Sequence, residues 1–386
     1  MTDTSGFVYD PASADFPERA HEIYRTLRDE HPLYRNEALG TWALSRYDDV
    51  RDAAADAETF SSERTSISMG LRPMIQQMDP PRHDALRDLL WRAFTPRRVA
   101  AMEPRIRELS RGLIDRFAAR GECDLLHEFA SQLPSLVIGE LIGIPAERRE
   151  SFLKWTEALI TANPNRDWDA NPFESIYAEF AELLDQRRGA RRDDLMSALI
   201  DAELDGQKLS QEELLGFCFL LVVGGNDTTT NLIANGAVLL AVHPDQRARL
   251  VRDPGLVPGA VEEMLRYDAP TQALPRRLTR DVEIHGETMR EGDEVSLVWG
   301  AANHDERQFD APERFDVHRK DNRHLALGHG IHFCMGSHLA RLEGRVAFEE
   351  LLSRMPEYEL VGDPPWQPSA WARAYASVRV RFDATS

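Results

Sequence analysis

Cysteine is scarce in this chain. Only Cys123, Cys218 and Cys334 occur, far apart in 386 residues, so no disulfide framework is implied and a reducing cytoplasm is the expected home. Long apolar runs are missing too: nothing approaches the roughly 20 residues that a bilayer-crossing helix needs. The amino terminus, Met1-Thr2-Asp3-Thr4-Ser5-Gly6, has neither the basic start nor the apolar core of a signal or anchor. Basic charge is in deficit. Acidic side chains outnumber basic ones 65 to 46, giving a formal charge of −19, which argues against a general role on nucleic acid or anionic membranes and leaves any basic patch local. No Pro-, Gly- or Ser-rich linker and no repeat divides the sequence, so a single domain over residues 1–386, expected as a monomer, is favoured.

What remains is a soluble, packable composition, 42% hydrophobic and 29% charged. Apolar residues at three- and four-residue spacing predict helices over Arg82 to Phe94, Pro104 to Ala119, Phe173 to Arg188 and Met335 to Arg354. The longest predicted helix starts at the capping box Ser210-Gln211-Glu212-Glu213 and runs through an apolar middle toward His243-Pro244. Val282 to Trp299 mixes turn residues with an apolar run and predicts a small sheet, and the alternation of Ser377 to Phe382 predicts a strand. The expected class is mainly α with small β-sheets (α+β), helices first and strands late.

One cysteine stands in a distinctive setting, Leu327-Gly328-His329-Gly330-Ile331-His332-Phe333-Cys334-Met335-Gly336. Glycines at this density allow left-handed backbone or close approach of a flat ligand. A helix predicted to begin just after Cys334 would aim free N–H groups at the sulfur, and such donors favour the thiolate. A soft, electron-rich sulfur suits iron and pushes electron density toward a bound O–O bond. A lone cysteine is more often a buried inert thiol. His329, His332, Cys334 and His338 also suggest zinc, although they fit no usual ligand spacing.

Inside the long helix, Gly224-Gly225-Asn226-Asp227-Thr228-Thr229-Thr230 breaks the preferences of a helix interior. Leu220, Val223, Gly224, Asp227 and Thr228 share one face. Glycine there permits close approach of a ligand, and an acid beside a hydroxyl can relay protons. A kinked helix whose threonines bond backbone carbonyls is the competing account. Three further patterns are weak alone: Glu263-Met264-Leu265-Arg266, Pro312-Glu313-Arg314-Phe315, and Asp79-Pro80-Pro81-Arg82-His83-Asp84-Ala85-Leu86-Arg87, whose His83 and Arg87 lie four apart on one helical face.

In this order these segments resemble the cytochrome P450 family. The cysteine run is similar to its haem-binding signature at Gly328, Gly330, His332, Cys334 and Gly336, with Leu327 where the family nearly always has Phe. The resemblance implies a single-domain P450 fold holding haem b (iron protoporphyrin IX) between the long central helix and the helix after the cysteine loop. It implies Cys334 as iron ligand and Asp227 and Thr228 as the acid/alcohol pair that delivers protons to bound dioxygen. His83, Arg87, Arg276 and His332 would hold the haem propionates. Glu263 and Arg266, completed by Arg314, would form a structural motif, and Leu220, Val223, Gly224, Gln272 and Ala273 would line the substrate pocket, with Gln272 as a polar contact.

Thr65 to Gln77, with Ile67, Met69, Leu71, Met74 and Ile75, and the Phe152 to Phe180 segment would roof that pocket. The implied activity is hydroxylation of a small to medium hydrophobic molecule with O2 and two electrons. Because the resemblance leaves no room for a flavin or nicotinamide domain, electrons would come from a separate ferredoxin and its NAD(P)H-linked ferredoxin reductase. Arg92, Arg97, Arg98, Arg341 and Arg345 would form a local basic patch steering an acidic ferredoxin. A peroxide-driven peroxygenase and, from another class, a non-catalytic haem gas or redox sensor are the alternatives. Relatives of the former tend to lack the acid/alcohol pair, and the latter needs an output domain that the sequence does not display.

Overall fold

Helices Phe16–Glu30 (α1), Tyr47–Ala55 (α2), Arg82–Trp91 (α3), Pro96–Ala101 (α4), Glu103–Ile114 (α5), Gln132–Ile142 (α6), Pro172–Gly189 (α7), Leu195–Asp201 (α8), Gln211–Val242 (α9), Pro244–Arg252 (α10), Val257–Tyr267 (α11), Trp299–Ala302 (α12) and Ser337–Arg354 (α13) carry most of the chain. Strands are short: Leu33–Asn36 (β1), Thr41–Leu44 (β2), Phe60–Ser61 (β3), Glu122–Asp124 (β4), Glu203–Leu204 (β5), Gln207–Lys208 (β6), Leu274–Leu278 (β7), Val282–Ile284 (β8), Glu287–Met289 (β9), Glu294–Leu297 (β10), Tyr358–Leu360 (β11) and Arg379–Phe382 (β12). The structure, a computed structural model, describes residues 7–66, 72–91, 94–148, 152, 172–192, 194–204 and 206–384. Among them no helix is long and apolar enough to cross a membrane.

The chain forms two compact units. The first comprises residues 1–69, 262–334 and 366–374. Its sheet has the order β1-β2-β10-β7-β3, with β2 and β10 parallel (Trp42 opposite Val295) and the other pairs antiparallel. On β10 the inner residues Val295 and Leu297 alternate with the less buried Glu294 and Ser296, and together with Trp42 and Leu44 of β2, whose Ala43 is buried as well, they pack on Tyr47, Val50 and Ala54 of α2. Pro17 at its first turn starts α1, whose Ala20, Ile23, Tyr24 and Leu27 form a buried stripe at helical spacing.

The second unit comprises residues 70–261, 335–365 and 375–386. Its axis is α9, a 32-residue helix that opens on the expected capping box, with Ser210 accepting from the Glu213 N–H and Glu213 accepting from that of Ser210. The helix is buried on nearly every side rather than amphipathic, and packs against α6, α7 and α13. Two glycines permit this: a β-carbon on Gly225 would stand 3.3 Å from Ile138, and one on Gly344 3.1 Å from Leu232. Helices α5 and α13 are stapled by Arg107 to Glu349 (2.6 Å) and Glu350 (2.7 Å), and by Arg345 to Glu103 (2.5 Å). The sheet β11-β12-β4 lies in this unit, with β12 over part of the predicted carboxyl-terminal strand.

Several expectations need correction. The order of helices first and strands late fails at β1, β2 and β3: β1 pairs with its neighbour β2, while β2 and the two-residue β3 gain β10 and β7, partners that only the tertiary fold brings to them. The helix predicted over Pro104 to Ala119 stops at Ile114; the chain tightens into a 3-10 turn at Ala118–Arg120 and leaves through left-handed Gly121 at φ +71°. Helix α13 begins at Ser337, two residues later than predicted.

Candidate active site

In the first unit, the cysteine loop hangs between the end of the Leu325 turn and Met335. The Leu325 N–H donates to Asn303 Oδ1 at 2.6 Å, and the Cys334 N–H donates to the Leu327 carbonyl at 2.8 Å, closing the loop on itself. Gly328 and Gly330 take φ of +74° and +70°, the left-handed region that a side chain disfavours. At Gly330 the need is double, since a β-carbon would stand 2.5 Å from the Ala54 carbonyl oxygen of α2. Gly336 has an ordinary φ of −79° as the amino-terminal cap of α13, so the left-handed argument does not apply there. The Cys334 side chain is half-buried and its neighbour Phe333 is exposed. Cys123 and Cys218 are buried instead, and burial pushes both thiols up to about 12.

His332 lies in the same loop, with Nε2 3.0 Å from Ser62 Oγ. Ser62 follows β3, whose pairing with β7 sets Ser61 opposite Arg277. Arg276 is on β7, buried, with Nη1 donating to the Pro275 carbonyl. His332 and Arg276 are therefore both referred to the β3 edge of one sheet.

In the second unit, α9 is continuous through Gly224 to Thr230. In its middle part burial is interrupted chiefly along one stripe: Leu220, Val223, Asp227 and Thr228 are half-exposed and Gly224 is exposed, with Gly225 beside them also half-exposed, while Leu221, Val222, Asn226, Thr229 and Thr230 are buried. A β-carbon at Gly224 would meet nothing nearer than Leu220 Cδ1 at 3.5 Å. The Thr228 hydroxyl donates to the Gly224 carbonyl at 2.8 Å, as the competing account of these threonines expected, but without a break in the helix. Desolvation raises the Asp227 carboxyl from 3.8 to about 7 although it keeps some contact with solvent. On α3, His83 is buried with Nδ1 2.8 Å from Asp84 Oδ1, and Arg87 is half-buried one turn on.

A family model for "Cytochrome P450" matches residues 255–361. A putative cytochrome P450, YjiB, of Bacillus subtilis is 40% identical over 90% of each chain. The vitamin D(3) 25-hydroxylase of Pseudonocardia autotrophica is also 40% identical, over 93% of this chain and 92% of its own. The solved structure of cytochrome P450 CYP109Q5 from Chondromyces apiculatus superposes with a TM-score of 0.89 at 38% identity, covering 98% of this chain and 99% of that one. The chain belongs to the cytochrome P450 family. The family implies haem as cofactor and monooxygenation as the reaction, and named relatives include a hydroxylase and an epoxidase.

Each unit, taken by itself, carries one feature that suits a haem. The loop offers a half-buried cysteine among glycines, and α9 offers a stripe stripped of side-chain bulk at Gly224, where a flat group can lie against backbone. Among the described residues no group of three or more His, Cys, Asp or Glu gathers as a protein-only metal site.

Three sequence expectations change in the P450 fold. Arg314 does not complete the Glu263/Arg266 motif with its side chain, which is 63% exposed and faces Asp316 at 3.4 Å. That place is taken by Arg319, 11% exposed, whose Nε reaches Glu263 Oε2 at 3.0 Å, while Arg266 pairs with the same carboxylate at 2.8 and 2.9 Å. Arg314 contributes its carbonyl, which accepts from both Arg266 and Arg319. The sequence held the signal, since Arg319 stands five residues beyond Arg314, but a motif read by its Pro-Glu-Arg-Phe letters selects the wrong guanidinium. Gln272 is turned inward: its Oε1 accepts from Tyr24 Oη at 2.6 Å and its Nε2 donates to the Ala269 carbonyl at 2.6 Å. Its polarity is thus engaged within the protein, and neighbouring Ala273 is buried. Arg345 is engaged with Glu103 and Glu349, so the basic patch loses that member; Arg97 and Arg98 are exposed, and Arg92 lies outside the described residues. Of the roof residues, Met74 and Ile75 are buried, whereas Ile67, Met69 and Leu71 and most of Phe152 to Phe180 lie outside the described residues.

Proposed function

We propose that this P450 hydroxylates a small to medium hydrophobic molecule, using O2 and two electrons from a separate ferredoxin and its NAD(P)H-linked reductase, with haem b ligated by Cys334. The carrying observation is that Cys334 alone of the three cysteines is accessible, in a loop shaped by two left-handed glycines. Bound haem supplies the iron at which dioxygen is held and its O–O bond cleaved. The protein supplies the rest. Asp227, with its carboxyl near 7, exchanges a proton at neutral pH where an ordinary carboxylate would stay ionised. Thr228, one residue on, donates its own proton to the Gly224 carbonyl, which orients its oxygen lone pairs outward as an acceptor for a proton donor. Leu220 and Val223, half-exposed on the same stripe, favour an apolar substrate, as does the activity named for the vitamin D(3) relative. His83, Arg87, Arg276 and His332 are assigned to the propionates, and Gly328, Gly330 and Gly336 to the cradle beneath the ring.

Thiolate ligation is tested by the reduced, CO-bound spectrum of haem-loaded protein. The expected result is the strongly red-shifted Soret band in the unaltered enzyme and its loss in Cys334→Ser. A CO complex without that shift in folded, haem-loaded protein refutes the assignment. A screen for the spin-state shift caused by displaced iron-bound water then identifies the substrate class.

A further inference from the structure

The segment from Arg72 to Met78 is tied down at its start by one side chain. The Arg72 guanidinium pairs with Glu212 in the first turn of α9, stands 3.8 Å from Glu174 of α7 and lies 4.7 Å over the ring of Tyr177 on the same helix. The Arg72 N–H donates to Tyr177 Oη at 3.4 Å. The Tyr177 ring in turn rests on Phe219 of α9, centroids 5.1 Å apart. Beyond Arg72 the backbone presses closely on α9, since a β-carbon on Gly216 would collide with the Pro73 carbonyl oxygen. Met74 and Ile75 are buried, and at the far end Arg82 pairs with Glu213, the residue after Glu212. Gly216 lies one turn before Leu220, where the accessible stripe of α9 begins. The clasped segment therefore sits at the edge of that stripe.

We propose that Arg72 is a positioning residue that clasps this segment onto α7 and the first turn of α9, and so sets how readily a bulky ligand reaches the stripe. The inference rests on the haem-enzyme reading above. Ion pairs between partly exposed side chains are weak and salt-sensitive, here with Arg72 26% and Glu212 56% exposed. A clasp made of them opens and recloses easily. The cation–π contact adds a modest, less screened part.

The test uses haem-loaded enzyme with 4-phenylimidazole as a bulky iron-binding probe followed by stopped-flow absorbance, and amide hydrogen exchange of residues 72–82. Arg72→Ala is expected to raise both the association and dissociation rates about 3- to 20-fold, and the exchange of the Gln77 and Met78 amides by a similar factor. Small imidazole should bind with rates changed less than about twofold, because a merely destabilised protein would not discriminate by ligand size. Added salt should speed the unaltered enzyme and leave the variant unmoved. Glu212→Gln, which keeps the helix cap, should show the same trend at smaller size and decides the matter if Arg72→Ala does not fold. Probe rates and amide exchange identical to the unaltered enzyme in the folded variants overturn the clasp. A missing red-shifted CO band in the unaltered protein would instead defeat the haem-thiolate reading, with hydrogen exchange still deciding the clasp.

Discussion

Replacing Asp227 by Asn separates the cost of a buried acid from its use. Desolvation raises its carboxyl from 3.8 to about 7, so between those values the folded protein holds a proton that the unfolded chain has released. Stability therefore falls as pH rises through this window, by about 1.4 kcal/mol per pH unit while the two states differ by one proton, and levels off above about 7. Between pH 5.5 and 8.5 the unaltered protein should lose roughly 2 kcal/mol by this route at most, and about 1 to 2 kcal/mol given the solvent contact that Asp227 retains. Asparagine has the same shape and no charge to bury. Urea unfolding of both proteins at the two pH values isolates the effect, because every other titrating group is common to them. The variant should gain about 1 to 2 kcal/mol on the unaltered protein as pH rises, while its O2-dependent turnover falls by about 10²-fold or more for want of a proton carrier. Equal pH dependence of stability in the two proteins would refute the burial argument.

Arg319→Ala strips a guanidinium from the fully buried Glu263 carboxylate and should cost about 2 to 4 kcal/mol in denaturant unfolding, whereas Arg314→Ala at an exposed position should stay within about 0.5 kcal/mol; the reverse order would return the role to Arg314. Gly330→Ala combines a φ of +70° with a collision against the Ala54 carbonyl. A cost of about 2 to 4 kcal/mol is expected, seen as faster haem loss to apomyoglobin, and unchanged haem retention would show that the loop adapts. Thr228→Ala should lower NAD(P)H-driven hydroxylation through the ferredoxin chain; peroxide-driven turnover untouched by the substitution and faster than the NAD(P)H-driven reaction would favour the peroxygenase.

Much of the site was legible because it is written locally. The capping box at Ser210 needs only residues three apart, and the structure forms both of its hydrogen bonds. The stripe Leu220, Val223, Gly224, Asp227 and Thr228 follows from helical periodicity, and it is the stripe left accessible. Gly328 and Gly330 were legible as glycines that a left-handed loop requires. Less legible were residues whose partner depends on where distant chain segments land. Arg319 and Arg314 are chemically identical and five apart, and only the path of the loop after β10 and α12 decides which meets Glu263.

The sequence by itself determined the family, the position of the cysteine loop, the long capped helix and its acid/alcohol pair, because each is a short pattern whose chemistry requires particular side chains at fixed spacing. Only the tertiary structure decided that β1 and β2 join a sheet with β10, that Gln272 turns inward to Tyr24, that Arg345 is engaged by Glu103, and that Asp227 titrates near neutrality. The physical reason is common to all four. Strand pairing, side-chain direction, ion-pair choice and desolvation depend on neighbours brought together across long stretches of chain, and no local pattern encodes which neighbours those will be.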